Sequence, residues 1–276
     1  MTHATGWLAD PPAGNATDPV LGAPLGAGDV PHSASVAHLL PPTILDQGGD
    51  NSCVAQAVVQ LLWSGQVRAG IVPDELASRK LLWWLCRREL GTERFNTGCY
   101  LRGAFELAQR GGFARERHFS HLKRYDERPR PYLATLSYDQ RDTGEVVKEV
   151  NRLLAGIAYR LPVEYRRIVA PHGSERIAAF KAAIASGLAI AAGVDVPERL
   201  KRHTGNGVFV PESGEPMAGG HAMVIHGYGP SGFQIRNSWG RDWGDGGNAW
   251  VDEAWVGTWR DPWVCVRAPA FSDGVA

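Results

Sequence analysis

Residues 53–63, "CVAQAVVQLLW", are apolar or small on nearly every face. A helix of that kind is stable only where other elements surround it, so it must run through the middle of a lobe. Ser52 is placed to cap it, which sets Cys53 in its first turn. The flanking sequence offers the wrapping. Helices are predicted at 73–90, with acids early and arginines late, and at 100–110, ended by Gly111 and Gly112. A polar, proline-containing connector at 126–142 and a helix at about 144–155 follow, and then the texture changes. Stretches 162–169, 188–196, 221–228, 233–239 and 249–256 read as strands bounded by Gly and Pro, interrupted by one helix at 174–186. Helices first and strands afterwards predict an α+β chain of two lobes with a cleft between them.

The 276 residues suffice for one large domain or two lobes. With 29 basic and 29 acidic residues the net charge is zero, which argues against a nucleic-acid or membrane-surface role. The first basic residue is Arg68, whereas Asp10, Asp18, Asp29, Asp46 and Asp50 precede it. The opening residues lack the basic start and apolar run of a secretory signal, so the expectation is a cytoplasmic protein, or one exported by a non-Sec route. No stretch is long and apolar enough to predict a membrane span. Cys53, Cys86, Cys99 and Cys265 are too irregularly spaced for a disulfide framework or a zinc site, and reduced thiols are expected.

Chemistry concentrates in two places. In "DQGGDNSCVAQA", 46–57, a glutamine stands six residues before Cys53; a buried structural thiol needs no such neighbour, but a nucleophilic one creates an oxyanion that wants donors. In the stretch opening "GGHAMVIHGYGPSGFQIRNSW", His221 begins one strand and Asn237 closes the next, 16 residues on. Antiparallel strands joined by "GPSG" bring the two together. If Asn237 accepts from one imidazole nitrogen, the other is aimed outward and can pair with Cys53.

With these motifs in place, the chain resembles the papain family of cysteine peptidases, in its bacterial type. The matching stretches are "DQGGDNSC", "TGCYLRGAFELAQRGG", "GGHAMVIHGYG" and "RNSWGRDWGDGG", in the family's order from residue 46 to about 250. The resemblance implies a papain-like two-lobe fold, a helical lobe at about 45–135 and an antiparallel, barrel-like β-rich lobe at about 160–268, with the active site in the cleft. It implies Cys53 as nucleophile, His221 as general base and acid, Asn237 as the residue orienting the imidazole, and Gln47 as oxyanion donor beside the Cys53 backbone N–H. Trp239 would shield the His221–Asn237 bond, Gly98 would line the substrate groove, and the small residues Gly219, Gly220 and Ala222 would shape an open pocket. The thiol would be ionised at neutral pH, favoured by the helix N-terminus and the imidazolium.

The chain departs from the family stretch at Asp50, which replaces the cysteine three residues before the nucleophile, and at Val54, which replaces an aromatic. The corresponding disulfide is therefore not expected. The 168 residues from Cys53 to His221 call for insertions, at 113–160 and 197–218. A flexible tail is expected at 1–36, with Trp7 its one large anchor, ahead of a peptidase domain at 37–270 and a short C-terminal tail at 271–276. The tail, or the loop 201–220, is the candidate for autoinhibition. The expected activity is that of a cysteine endopeptidase acting through an acyl-thioester without metal or cofactor, on a peptide or protein substrate, and regulated by an inhibitory or activating protein partner. Two alternatives stand beside it: a deconjugating or acyl-transfer enzyme, and a papain-like pseudoenzyme that binds peptides without cutting them. Maturation, defence and a role as an exported effector are all compatible with the residues. Cys86, Cys99 and Cys265 read as small hydrophobes, and the tryptophans as core.

Overall fold

The computed structural model describes residues 4–12, 17–22, 30–93, 95–111, 114–118 and 163–271. The expected helix at 144–155 and the connector before it lie outside them.

Helix α1, Cys53–Arg68, is the central rod. Its side chains are buried almost without interruption, as its all-round apolarity requires. Ser52 does not cap it through its hydroxyl; its Oγ instead accepts from Gln56 Nε2 at 3.1 Å, a pairing between two fully buried polar side chains. Helix α2, Arg79–Glu89, is shorter than the predicted 73–90. Ser78 caps it by accepting from Leu81 N at 3.2 Å. The preceding turn is drawn away by Arg115: the Ser78 N–H donates to Ala114 O, and Asp74 takes the Arg115 guanidinium. A two-residue strand, Cys99–Tyr100, leads into helix α3, Leu101–Gly111.

Strands β4 (Glu164–Arg167), β5 (Ile190–Pro197), β6 (Val208–Phe209), β7 (Met217–Gly229), β8 (Gly232–Arg236), β9 (Asn248–Val251) and β10 (Arg260–Arg267) build the second lobe. They lie in the order β4-β10-β5-β7-β8-β9-β6, antiparallel except for the β6–β9 pair, and β2 (Ala34–Ser35) adds to β7. Helix α4, Ser174–Ala185, packs on this sheet. The predicted strand 249–256 is only half a strand. Asp252 accepts from Trp255 N at 3.0 Å and turns residues 253–256 into a helical turn, α5 (Glu253–Val256). Strand β10 went unpredicted, because Pro262 and the positive φ of Asp261 interrupt its pattern.

The lobes share one apolar core. Phe105 of α3 stacks on Tyr165 of β4 at 5.3 Å between centroids, and Trp263 of β10 closes the group at 5.5 Å from Tyr165. A Cβ at Gly65 of α1 would stand 2.6 Å from Cys265 Sγ, so glycine lets the rod lie directly on β10. No helix among the described residues is long and apolar enough to cross a membrane.

Candidate active site

The cleft is bordered by the N-terminus of α1 on one side and by β7, β8 and the loop after β8 on the other. The loop 46–51 is stitched across it. Gln47 N donates to Ser238 O at 2.9 Å, Ser238 Oγ donates to Gln47 Oε1 at 2.7 Å, and Gly240 N donates to Leu45 O at 3.0 Å. The Gln47 amide is thus fixed by its oxygen and by one N–H, which donates to Asp50 O at 2.7 Å, leaving the other N–H for the cleft. Asn96 secures the same loop from the other side: its Oδ1 accepts from Asn51 N at 2.8 Å and its Nδ2 donates to Gly49 O at 2.9 Å. The sequence reading passed over Asn96; the "NTG" turn was its only signal.

His221 Nε2 and Asn237 Oδ1 are 2.7 Å apart, both residues buried. An amide oxygen only accepts, so Nε2 carries the proton and Nδ1 is the nitrogen left to face other groups. Trp239 lies over the imidazole with centroids 4.6 Å apart and planes 24° from parallel, which keeps water off the bond. The cross-strand register creates this meeting: Val224 pairs with Arg236, so His221 and Asn237 project from adjacent strands at the same end. The Cys53 thiol sits at the N-terminus of α1 within hydrogen-bonding reach of the backbone at Ala222, the residue after His221. His226, farther along β7, is buried elsewhere, and burial pushes its pKa down to about 4, so it stays neutral.

A segment of the chain itself lies in the cleft. Ala4 O accepts from Gln47 Nε2 at 3.1 Å and from Trp239 Nε1 at 3.3 Å. Gly6 N donates to Gly220 O at 2.9 Å, and Cys99 N donates to Gly6 O at 3.0 Å. Strand β1, Trp7–Leu8, runs parallel to β3, Cys99–Tyr100, with Trp7 opposite Cys99. Gly98 makes this approach possible, since a Cβ there would fall 1.8 Å from Gly6 O. The hydrogen bond itself comes from Cys99, one residue beyond the position read from sequence.

Farther along the segment, Asp10 accepts from Arg102 N at 3.1 Å and Trp263 Nε1 at 2.9 Å, while its own N–H donates to Asp261 Oδ2 at 2.7 Å. Asp18 takes Arg102 in a two-pronged pair, at 2.7 and 2.8 Å, and Arg167 at 2.9 Å. These acids were counted in the sequence only as charge.

With the segment in place, Cys53 and His221 are both 0 % exposed. Burial pushes the Cys53 thiol up to about 12, against smaller opposing contributions from backbone hydrogen bonds of Ala222, Gly6 and Val54. The sequence led us to expect an ionised thiol. The difference is physical: a buried charge has lost its water. All four cysteines are free and buried.

Comparison with known proteins agrees with this architecture. The pattern describing the Papain family cysteine protease matches residues 42–256. No curated protein sequence matches the chain. Among solved structures, xylellain, a cysteine protease from Xylella fastidiosa, superposes with a TM-score of 0.73 at 21% identity, covering 96% of each chain. ProCathepsin B S9 from Trypanosoma congolense gives 0.64 at 17% identity over 97% of this chain and 86% of its own. The Carica candamarcensis cysteine protease CMS1MS2, in complex with E-64, gives 0.61 at 19% identity over 87% of this chain and 100% of its own. The fold is the papain-like α+β fold of two lobes, and the chain belongs to the papain family of cysteine proteases.

Proposed function

We propose that this cysteine peptidase is an endopeptidase with a Cys53-His221-Asn237 triad, held latent by its own residues 4–12, with Asp18. The observation that carries the reading is the 2.7 Å bond between His221 Nε2 and Asn237 Oδ1 beneath Trp239. It leaves Nδ1 as the proton acceptor, on the strand that carries the backbone partner of the thiol.

In this mechanism His221 Nδ1 takes the Cys53 proton as Sγ attacks the peptide carbonyl. The oxyanion is met by Gln47 Nε2 and the backbone N–H of Cys53 at the start of α1. Collapse to the acyl-thioester expels the amine, protonated by His221, and the neutral ring then activates water for hydrolysis. Asn237 holds the imidazole in the tautomer that each step needs. Gln47 Nε2 now bonds Ala4 O, a peptide carbonyl at the position where a substrate's would gather charge. Substrate and segment therefore compete for one set of donors, and the segment must leave before chemistry begins. Its departure also rehydrates the thiol and brings its pKa down. Among the similar structures, proCathepsin B S9 is by its name a proform.

Cleavage of a peptide library by the full chain, by Trp7→Ala and by Cys53→Ala, followed by mass spectrometry, tests the reading. Products should be scarce for the full chain, abundant for Trp7→Ala and absent for Cys53→Ala. The rival is a module that binds peptides without cutting, and a cleft already filled with peptide suits it too. Iodoacetamide labelling at pH 5 to 6 separates the two, since only an activated thiolate in the opened chain reacts quickly.

A further inference from the structure

Gln56 stands three residues after Cys53 on α1, and no step of the mechanism uses it. Like Ser52 it is 0 % exposed. An amide and a hydroxyl are costly in such a place unless they are hydrogen-bonded, and an apolar residue would fill the same space without that demand. The bonds come from outside the helix. Gln56 Oε1 accepts from Arg79 Nη1 at 3.2 Å, and Glu116 Oε1 grips the same guanidinium, 2.9 Å from Nη2 and 3.3 Å from Nε. With its oxygen fixed in this way, the amide turns its N–H₂ toward Ser52, and Nε2 donates to Ser52 Oγ at 3.1 Å.

What this bond withholds is a cap. A serine in front of a helix ordinarily turns its oxygen onto the N–H of the second or third helical residue, here Val54 or Ala55. Ser52 does not, and its φ of −100° and ψ of 13° lie outside the extended conformation of an ordinary cap. The N–H groups of a first turn have no partners within their own helix. That of Val54 bonds the Cys53 thiol. A donor on sulfur favours the thiolate, and a serine oxygen on the same donor would take it away. We propose that Gln56 is a positioning residue: by holding the Ser52 hydroxyl back, it reserves the first-turn N–H groups of α1 for the charge that develops on Cys53 and on the carbonyl under attack. Arg79 and Glu116 stand behind it and set which way its amide points. The role rests on the reading of Cys53 as nucleophile, yet the hydrogen bonds it concerns can be tested without cleavage.

The test uses the full chain carrying Trp7→Ala to open the cleft, and follows Cys53 labelling by iodoacetamide from about pH 4 to 10, with the labelled residue identified by peptide mapping. Gln56→Met removes both polar ends at nearly constant volume. The released Ser52 hydroxyl then caps the first turn, so the labelling midpoint should rise by about one unit, and kcat/KM for a peptide below that midpoint should fall about tenfold. Adding Ser52→Ala removes the competing oxygen and should return both quantities to their Trp7→Ala values. A role in packing does not produce that rescue, because a second deletion in a core adds to the damage of the first. Gln56→Asn, one carbon shorter, also lets go of Ser52 with a smaller change to the core; it should shift the midpoint the same way and serves where Gln56→Met does not fold. A midpoint unmoved in the folded Gln56 variants, or one still raised once Ser52 is alanine, overturns the role whether or not peptides are cut. Absence of cleavage by Trp7→Ala itself, with the shift and its rescue intact, overturns the peptidase reading and leaves the positioning role standing.

Discussion

The segment in the cleft is held at its two ends by different physics. From Ala4 to Trp7 it relies on neutral backbone hydrogen bonds and one buried ring, contacts that another peptide could reproduce. At Asp10 and Asp18 it relies on carboxylates sunk among Arg102, Arg167 and Trp263, contacts that depend on the identity of the side chains. The first end mimics a ligand and the second is an anchor. A peptide competing for the cleft displaces the former without touching the latter, so opening the site and releasing the segment are separable events.

Removing the anchor's central charge should have the largest effect. The side chains of Asp18 and Arg102 are 4 % and 8 % exposed, and deleting one partner of a buried pair typically costs about 3–5 kcal/mol. Asp18→Ala should lower the midpoint of thermal unfolding by several degrees and speed proteolysis within the first 22 residues, read by limited proteolysis and mass spectrometry.

Gln47→Ala sharpens the contrast at the other end, because one amide serves both the segment and the proposed oxyanion. Losing the hydrogen bond to Ala4 O loosens the lid by about 1 kcal/mol, whereas losing an oxyanion donor costs about 2.7–4 kcal/mol. In the Trp7→Ala background kcat/KM should therefore fall by two to three decades while Cys53 labels no more slowly. A rise in kcat/KM would mean that Gln47 acts only as a clamp.

The anchor should also answer to pH. Burial, then the neighbouring charge of Asp261, raises Asp10 from 3.8 to about 6, against its hydrogen bonds from Trp263 and Arg102. A carboxyl whose pKa is higher when docked binds its proton more tightly there. Its contribution to docking is therefore complete below about 3.8 and is lost as pH rises through about 6. The difference amounts to roughly 3 kcal/mol. Iodoacetamide labelling of Cys53, corrected for thiolate fraction with a free-cysteine peptide, should accelerate between pH 5 and 7; Asp10→Asn should flatten that rise. The smallest effect is expected from Arg260→Gln, whose partly exposed cation over Trp7 is worth about 0.5–1 kcal/mol, seen as a severalfold faster labelling rate.

What could be read from the sequence divides along similar lines. Cys53 was legible because an apolar helix announces itself over a few residues, and His221 with Asn237 because two alternating strands and a "GPSG" turn fix their own register. Those signals are local. The anchor was illegible, since Asp10, Arg102 and Asp261 are brought together from distant parts of the chain, and no period connects them. Strand β10 hid behind Pro262, and α5 behind an apolar run that one Asp252 cap was enough to bend. Gly193 was read as part of a strand; its use as the floor of a slot follows only once Trp7 is seen above it.

Because the lid is part of the chain, its strength does not depend on how much protein is present. A short tether holds a peptide at an effective concentration in the millimolar range, and dilution leaves that figure unchanged. A single cut in the exposed stretch at Leu8 and Ala9, between mimic and anchor, would remove the tether that joins the mimic to the anchor. Switching on would then be a one-way event, completed by diffusion rather than by any rearrangement of the fold.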